Sequence, residues 1–226
     1  DGDTDESCSS GPIVSVEEDV VGPSNYDQHL AFLGDVSGNW DVFFRDLRTG
    51  SLVQLTDTTE NESQVHAYGN LVTYVRGADA AARVYVYDLE TDTETQISDA
   101  QSGGPRIWRS FVVYDRFNGS DWDVHLYDLA ADMDSPLVDT SANELAPDMR
   151  NGRVSYITDS TGTFVTHIID FGASTDTAQT ASPAGAQWDP VLDHTAIGWS
   201  DARNVSDVGD IFDDWDVYGA TTSDFG

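Results

Sequence analysis

One sequence motif recurs five times along the chain, and it limits the possible folds more than any other feature. The copies begin at Trp40, Ala82, Trp122, Phe164 and Trp215, at spacings of 42, 40, 42 and 51 residues. The first three copies read WDVFFRDL, ARVYVYDL and WDVHLYDL, whereas the last keeps only WDVY. A period near 40 residues is typical of repeat proteins, in which each copy forms one supersecondary unit. The chain is therefore expected to form a single repeat array.

Two further positions keep their distance from these anchors. An aromatic residue lies eight residues before each of the first four anchors, and Trp199 takes that place before a longer loop; the four are Phe32, Tyr74, Tyr114 and Tyr156. Nine residues before each aromatic, counting Trp199, come Pro23, Val65, Pro105, Pro147 and Pro190. The runs between these markers are short, β-branched or aromatic, and bounded by Gly, Asn, Asp and Ser, which indicates four strands per copy.

The third strand of each copy is apolar on both faces, since Val42 and Phe44 point opposite to Phe43. A small sheet buried on both faces suits a blade of a β-propeller, which has four strands around a central channel. The sequence predicts an all-β, five-bladed β-propeller with four-stranded antiparallel blades. The last copy lacks a fourth strand, and residues 13–18 (IVSVEE) are expected to supply it, closing the ring and covering a sheet edge.

The composition of the chain limits the classes of partner that it can bind. The chain has 41 acidic and 10 basic residues, all ten of them Arg, for a net charge of −31. Such a surface repels nucleic acid and anionic lipid, and it suits cations, a basic protein or a saline habitat. Residues 1–11 are expected to form an acidic flexible tether before a single domain at 12–226. Cys8 has no second cysteine to pair with, and no transmembrane run or signal peptide is present.

The last copy carries a candidate metal site. Fifteen residues separate Trp199 from Trp215, against seven in each other copy, and residues 200–214 include five aspartates: Asp201, Asp207, Asp210, Asp213 and Asp214. Carboxylate oxygens are the ligands that Ca²⁺ takes, so calcium is the predicted cofactor here. The alternative is a solvated insertion in an Asp-rich chain. An EF-hand-like start at Asp1, Asp3 and Asp5 fails at its later positions.

Three residues are candidate ligand contacts. Arg76 and Arg116 share a register just beyond the second strand and could bind a carboxylate or phosphate, with ion pairs between neighbouring blades as the alternative. Trp188 precedes Pro190 and could stack on a sugar ring or anchor a protein interface, with core packing as the alternative. The repeated aspartates after the third strand are predicted to cap turns. His125 and His167 are predicted to replace packed aromatic residues.

The repeat resembles the TolB-like propeller family. The resemblance depends on residues 39–43, 118–124, 46–47, 88–89, 128–129 and 55–56, and it extends over residues 12–226. The family's Ser-Pro-Asp-Gly turn is absent and is replaced by residues 68–70 and 150–152. The resemblance implies an exported bacterial or archaeal protein, periplasmic, at the cell surface or extracellular, that binds proteins or glycans.

The sequence favours a monomeric, non-catalytic binding module that recognises a protein or a surface glycan at the channel mouth, with residues 200–214 at the rim. It contains no nucleophile elbow, phosphate-binding loop or zinc signature. Two alternatives stay open. The first is a glycosidase or lyase that uses carboxylates from different blades, one of them with a raised pKa. The second is a structural repeat domain of a larger surface protein.

Overall fold

The computed structural model of the chain describes residues 19–36, 38–171, 174–178, 186–193, 196–201 and 216–221. Within these ranges the chain consists of strands and turns, with one turn of 3₁₀ helix at Asp79–Ala81. No helix in the described part of the chain is long and apolar enough to cross a membrane.

The strands form five antiparallel sheets, each built from consecutive strands in chain order. The first comprises β1 (Val20–Tyr26), β2 (His29–Val36), β3 (Asn39–Asp46) and β4 (Leu52–Gln54). The second comprises β5 (Glu62–Tyr68), β6 (Leu71–Arg76), β7 (Arg83–Asp88) and β8 (Thr93–Gln96). The third comprises β9 (Ser102–Trp108), β10 (Phe111–Phe117), β11 (Trp122–Asp128) and β12 (Met133–Val138). The fourth comprises β13 (Glu144–Arg150), β14 (Arg153–Thr158), β15 (Val165–Asp170) and β16 (Thr175–Ala178), and the fifth β17 (Gln187–Leu192), β18 (Ala196–Asp201) and β19 (Asp216–Thr221).

The predicted turns between first and second strands have the backbone that tight hairpins need. Asn151 and Gly152 both have positive φ, 52° and 78°, which is the mirror-image turn whose twist matches paired strands. Asn and Gly are the residues that adopt this backbone most readily, so the sequence fixes the hairpin locally. Because all strands within a sheet are joined in chain order, each repeat copy folds into one sheet.

The aromatic register of the second strands forms the centre of each sheet. Tyr74, Tyr114 and Tyr156 are at most 2% exposed. Their hydroxyl groups donate to carboxylates on the outermost strand of the same sheet, as from Tyr114 to Asp134 at 2.8 Å. A buried phenol needs such a partner, so these bonds tie the second strand to the fourth across the third.

The repeated aspartates and the Leu-Thr ending have structural roles, as predicted for the aspartates. Asp88 Oδ1 accepts the backbone N–H of Glu90 at 2.9 Å, which caps the turn into the fourth strand. Thr56 Oγ1 accepts the N–H of Val42 at 2.8 Å, and Ser98 Oγ accepts that of Val84 at 2.8 Å. The hydroxyl therefore replaces a backbone partner where the fourth strand leaves the third.

The all-β architecture with blade-like antiparallel sheets agrees with the sequence prediction. The fifth sheet has three described strands, in the order β17-β18-β19. Residues 13–18, which are predicted to supply its fourth strand, lie outside the described part of the chain, as do residues 1–11. Ring closure by that segment and the count of five blades therefore stay predictions.

Candidate functional site

A single channel runs between the first strands of the five sheets. Strands β1, β5, β9, β13 and β17 follow one another side by side, and residues from all five line two adjoining cavities. The upper cavity, of about 650 Å³, lies where these strands begin, at the end of the molecule that carries the connections from second to third strands. The lower cavity, of about 300 Å³, lies where they end.

Every first strand is interrupted at the same place by a β-bulge. The residue before the Pro register has positive φ in all five strands: Gly22, Gln64, Gly104, Ala146 and Asp189, at 48–60°. The pairing register shifts across this point in each sheet. Proline suits such a position because it has no N–H to contribute to the ladder. The five bulge residues all line the upper cavity.

The residue after the Pro register forms the waist of the channel. These residues are Ser24, His66, Arg106, Asp148 and Val191, which we call the waist ring. Three of them accept a backbone N–H from the next first strand. Ser24 Oγ accepts Ala67 N–H at 3.0 Å, His66 Nδ1 accepts Ile107 N–H at 3.3 Å, and Asp148 Oδ2 accepts Leu192 N–H at 2.6 Å. The waist ring therefore joins consecutive sheets as well as lining the channel.

His66 is neutral and presents a donor. Its Nδ1 accepts a hydrogen bond from Ile107, so the ring proton lies on Nε2. Burial and the nearby guanidinium groups of Arg106 and Arg150 lower its pKa to about 4. At neutral pH the waist therefore holds an uncharged imidazole beside cationic groups. His66 lies within β5, close to the turn that follows this strand.

The upper cavity combines apolar walls with a buried carboxyl group. Asp115 occupies the position that Leu33, Val75 and Ile157 take in other sheets. Its Oδ1 is buried and has no hydrogen-bond partner among the described residues. A Cβ at Gly104 would come within 2.5 Å of this oxygen, so only glycine leaves room for it. Burial raises the pKa of Asp115 to about 6, despite backbone hydrogen bonds and Arg106 that favour the carboxylate.

Trp188 lines the upper cavity, where sequence analysis predicted a ligand contact. It lies within β17 rather than in a loop, and its ring packs against Phe164 with centroids 4.6 Å apart. Trp188 pairs with Ser200 and its neighbour Gln187 with Asp201. Trp188 therefore lies next to the point where residues 202–215 leave the sheet.

The other two predicted ligand contacts are engaged in ion pairs within the structure. Arg76 Nε lies 2.6 Å from Glu62 Oε1, and its Nη2 lies 2.6 Å from Glu94 Oε1. The same guanidinium stacks on Tyr85 at 4.5 Å. Arg116 pairs with the exposed Asp99. Both arginines are close to the upper end of the molecule, at the ends of β6 and β10.

The predicted metal ligands fall mostly outside the described part of the chain. Asp201 ends β18, and Asp207, Asp210, Asp213 and Asp214 belong to residues 202–215. Among the described residues, no group of three or more His, Cys, Asp or Glu side chains is arranged to hold a metal ion. Calcium therefore has no support from the described geometry.

His125 and His167 pack as predicted and also lie within hydrogen-bond distance of carboxylate groups. Their rings lie 5.8 and 5.2 Å from Tyr114 and Tyr156. His125 Nδ1 lies 2.9 Å from Asp134 Oδ2, and His167 Nδ1 lies 3.0 Å from Asp176 Oδ1. These carboxylates also accept the tyrosine hydroxyls, so the histidines belong to structural clusters on the outer strands.

The lower cavity has a different chemistry from the upper one. Tyr26 and Tyr68 both line it, and their rings are in contact, with centroids 4.1 Å apart. Trp108 also lines it, and the guanidinium of Arg109 lies 4.4 Å from the Trp108 ring. Arg106 and Arg150 complete its polar lining together with His66 and Asp148. This cavity was not predicted from the sequence, although the positions of the residues that follow the Pro register could be read from the repeat.

Comparison with known proteins identifies the fold. No protein-family model matches the chain, and no match was found among curated proteins. A solved structure assigned as TolB from Agrobacterium tumefaciens has a TM-score of 0.68 at 14% identity, with 92% of this chain and 79% of that chain covered. Oligogalacturonate lyase from Vibrio parahaemolyticus gives 0.65 at 16% identity, covering 96% and 66%. An oligogalacturonate lyase in complex with manganese gives 0.64 at 16%, covering 88% and 61%.

These similarities establish a TolB-like propeller fold. The chain spans 79% of the length of the TolB protein and about two thirds or less of the two lyases. Since the proteins on this fold include at least one class of enzyme, and identity is at most 16% for these three, the fold alone does not give the function.

Proposed function

We propose that the protein is a non-catalytic binding module that recognises a segment of a protein or a surface glycan at the upper mouth of its channel. The observation that carries this proposal is the upper cavity of about 650 Å³, lined by the first strands of all five sheets with Trp188 at its edge. Ligand sites in proteins are concave, largely apolar and marked by a few placed polar groups.

The chemistry of the upper cavity supports such a ligand. Pro147, Ile157 and Trp188 give it apolar walls, and Gln64 and Asp189 add polar groups. A half-buried tryptophan offers a flat apolar surface that suits a sugar ring or an apolar side chain. Because the side chains come from separate sheets, the cavity is held by the whole array rather than by one loop.

The rim adds candidate contacts. Residues 202–215 leave β18 beside Trp188, so their two ends are attached at the upper end of the channel. Arg76 and Arg116 stand at the same end, and binding by either would compete with its ion pairs. The net charge of −31 disfavours nucleic acid, and we infer an exported, monomeric protein in the periplasm, at the cell surface or outside the cell.

The test compares two tryptophans that each pack on one phenylalanine. Trp188→Leu removes the ring in the upper cavity, whereas Trp122→Leu removes a ring that lies 5.5 Å from Phe117 and away from either cavity. The wild-type protein is screened on glycan and peptide arrays, and the best binder is titrated calorimetrically. W188L should weaken binding at least about tenfold, while W122L should leave it within twofold.

Equal losses in both variants, or no binder in either array, would contradict the proposed site. Deletion of residues 204–212 tests the rim separately: if a folded deletion protein binds the same ligand with unchanged affinity, the rim takes no part in recognition. Circular dichroism and thermal melts establish that each variant is folded before it is compared.

The enzymatic alternative, a glycosidase or lyase, would use carboxyl groups of the upper cavity. Asp115 lines this cavity with a raised pKa, and Asp189 from another sheet lines it as well. A carboxyl group with a raised pKa can serve as a general acid. Turnover of any oligosaccharide by the wild-type protein that is lost in both Asp115→Asn and Asp189→Asn would establish this alternative.

Calcium is proposed only for the acidic segment that begins at Asp201. A ligand that binds the folded state raises its melting temperature in proportion to the binding free energy. Thermal melts at fixed ionic strength, with calcium against chelator, measure this directly. A rise of several degrees that is lost when Asp207 and Asp210 are both changed to Asn would support the site, and no shift would remove calcium from the proposed function.

A further inference from the structure

The lower cavity has a positive charge balance, although the chain as a whole is strongly acidic. Two of the ten arginines, Arg106 and Arg150, line it against one carboxylate, Asp148. With 41 acidic residues in the chain, a cavity with two cations and one anion departs sharply from the rest of the surface. Its lining also includes the imidazole of His66, which is uncharged at neutral pH, and the phenol groups of Tyr26 and Tyr68.

Arg150 is the key member because its charge has no ion-pair partner in the part of the chain that the structure describes. No carboxylate among the described residues lies within 4.0 Å of its guanidinium, and no hydrogen bond from its side chain to a described residue is formed. It ends β13 and lines the cavity together with Tyr26 from β1. A half-buried guanidinium has five donors to satisfy and readily binds an oxyanion with two of them.

Arg106 is only weakly neutralised. Its Nε lies 3.9 Å from Asp148 Oδ1, which is beyond hydrogen-bond distance, and the other oxygen of Asp148 accepts the N–H of Leu192 at 2.6 Å. Its Nη1 donates to the carbonyl of Pro105 at 3.0 Å, and the remaining donors of the fork stay available. Its side chain is 38% exposed, so it is accessible from the channel.

The imidazole of His66 adds a neutral donor to the lining that also contains both arginines. Because Nδ1 accepts from Ile107, the N–H is on Nε2, away from that backbone contact. His66, Arg106 and Arg150 all line this cavity, and both guanidinium groups help to lower the pKa of the imidazole. Tyr26, Tyr68 and Trp108 give the same cavity an aromatic lining.

We propose that the lower cavity is a binding site for an oxyanion, a carboxylate or phosphate group, held by Arg150 and Arg106 with His66 as a further donor. A volume of about 300 Å³ accommodates such a group with a few attached atoms. The site adjoins the upper cavity and shares Arg106 and His66 with it, whereas Arg150 lines only the lower cavity, so a test on Arg150 does not depend on the ligand proposed at the upper mouth. The acidic surface repels anions in general, so saturable anion binding would have to come from a local site.

Two anions serve as probes: inorganic phosphate and succinate, each titrated calorimetrically and by thermal melt at pH 7.5, with sodium chloride used to hold ionic strength constant. Saturable binding of either is expected, and the anion that binds identifies the preferred group. Arg150→Gln should weaken it about 10- to 100-fold, the usual effect of losing a charged hydrogen bond. Arg150→Lys keeps the charge but not the forked guanidinium, so its affinity for the anion should lie between those of the wild type and R150Q.

Arg48→Gln is the matched control. It removes the same charge from a side chain that is 77% exposed, in the turn after β3 and away from both cavities. It should leave the affinity within twofold, which separates a local contact from a change in net charge. The proposal is overturned if neither anion binds saturably, if R150Q binds as tightly as wild type, or if R48Q loses as much affinity as R150Q.

Discussion

Among single residues, the channel contains two groups whose pKa values are displaced in opposite directions. Asp115 holds its proton more strongly than an ordinary aspartate, and His66 holds it less strongly than an ordinary histidine. In both cases burial is the leading cause, because it penalises whichever form is charged. The two residues should therefore give opposite slopes of stability against pH over almost the same range.

Asp115→Asn is expected to stabilise the protein at neutral pH. The folded-state pKa of about 6 lies above the ordinary value of 3.8. The carboxyl group therefore contributes to the free energy of unfolding at low pH, and this contribution is lost as the pH rises from about 4 to 6. The loss is at most about 3 kcal/mol, since one pKa unit corresponds to about 1.4 kcal/mol. Urea unfolding at pH 4, 5, 6 and 7 should show the stability difference, variant minus wild type, growing to a plateau above pH 6.

The exposed Asp57 supplies the control for that series, because Asp57→Asn removes the same charge outside the channel. Its stability difference from wild type should stay nearly constant over pH 4–7. A constant difference for Asp115→Asn as well would contradict the raised pKa and would mean that the carboxyl group is hydrated.

His66→Gln is expected to give the opposite slope. The pKa of His66 is lowered from 6.5 to about 4, so its contribution to stability is present at neutral pH and is lost as pH falls towards 4. Glutamine keeps an acceptor for Ile107 N–H but has no proton to take up. The stability of the variant relative to wild type should therefore rise by up to about 3 kcal/mol from pH 7 to pH 4. A wild-type imidazole that titrates near 6.5 by NMR would contradict this.

At the level of the strands, the feature that recurs is a β-bulge in the first strand of every sheet. It turns the residue before the Pro register into a left-handed conformation and aims it at the upper cavity. Gln64, Ala146 and Asp189 adopt this backbone without being glycine, so the bulge itself does not demand one. Glycine is required only where a neighbouring side chain leaves no room for a Cβ atom at this position. The room available differs between sheets.

Gly104→Ala and Gly22→Ala test this distinction at one register. Both residues have similar φ, 57° and 60°, so the backbone strain is matched. A Cβ at Gly104 would lie 2.5 Å from Asp115 Oδ1, whereas one at Gly22 would lie 3.8 Å from Leu33 Cδ1, an ordinary contact. Denaturant unfolding should give a loss of about 1 kcal/mol for G22A and at least about 1–3 kcal/mol more for G104A.

A shorter side chain at the contact provides the internal check. In the double variant Gly104→Ala with Asp115→Ala the oxygen is gone, so the excess cost of G104A should disappear. If G104A and G22A lose equal stability, the cost comes from the backbone alone, and the close contact with Asp115 is not the reason for glycine.

The strands show which parts of the fold a sequence can reveal. Buried positions repeat one chemical type, so Tyr74, Tyr114 and Tyr156 were found from their spacing. The Pro register was found in the same way, but its meaning as a bulge depends on pairing between strands. The waist ring was missed because its members share only a position: Ser24, His66 and Asp148 differ in chemistry yet each accepts a backbone N–H.

At the scale of the whole molecule, the charged groups that line the channel differ from one end of it to the other. The chain as a whole has a net charge of −31, while the channel places a buried carboxyl group near its upper end and two guanidinium groups near its lower end. Such an arrangement depends on the five first strands being held in one array. In the part of the chain that the structure describes, the fifth sheet has three strands where the others have four.

Residues 13–18 are predicted to supply the missing strand beside β19, whose Val217 is 85% exposed among the described residues. Removing residues 1–18 should therefore lower the free energy of unfolding by at least about 2 kcal/mol, a fall of roughly 4–8 °C in melting temperature for a domain of this size. Removing only residues 1–11, the predicted tether, should change the melting temperature by less than about 2 °C. Equal melting temperatures for the two truncated proteins would mean that residues 13–18 do not pair with β19 and that the fifth sheet is completed in another way.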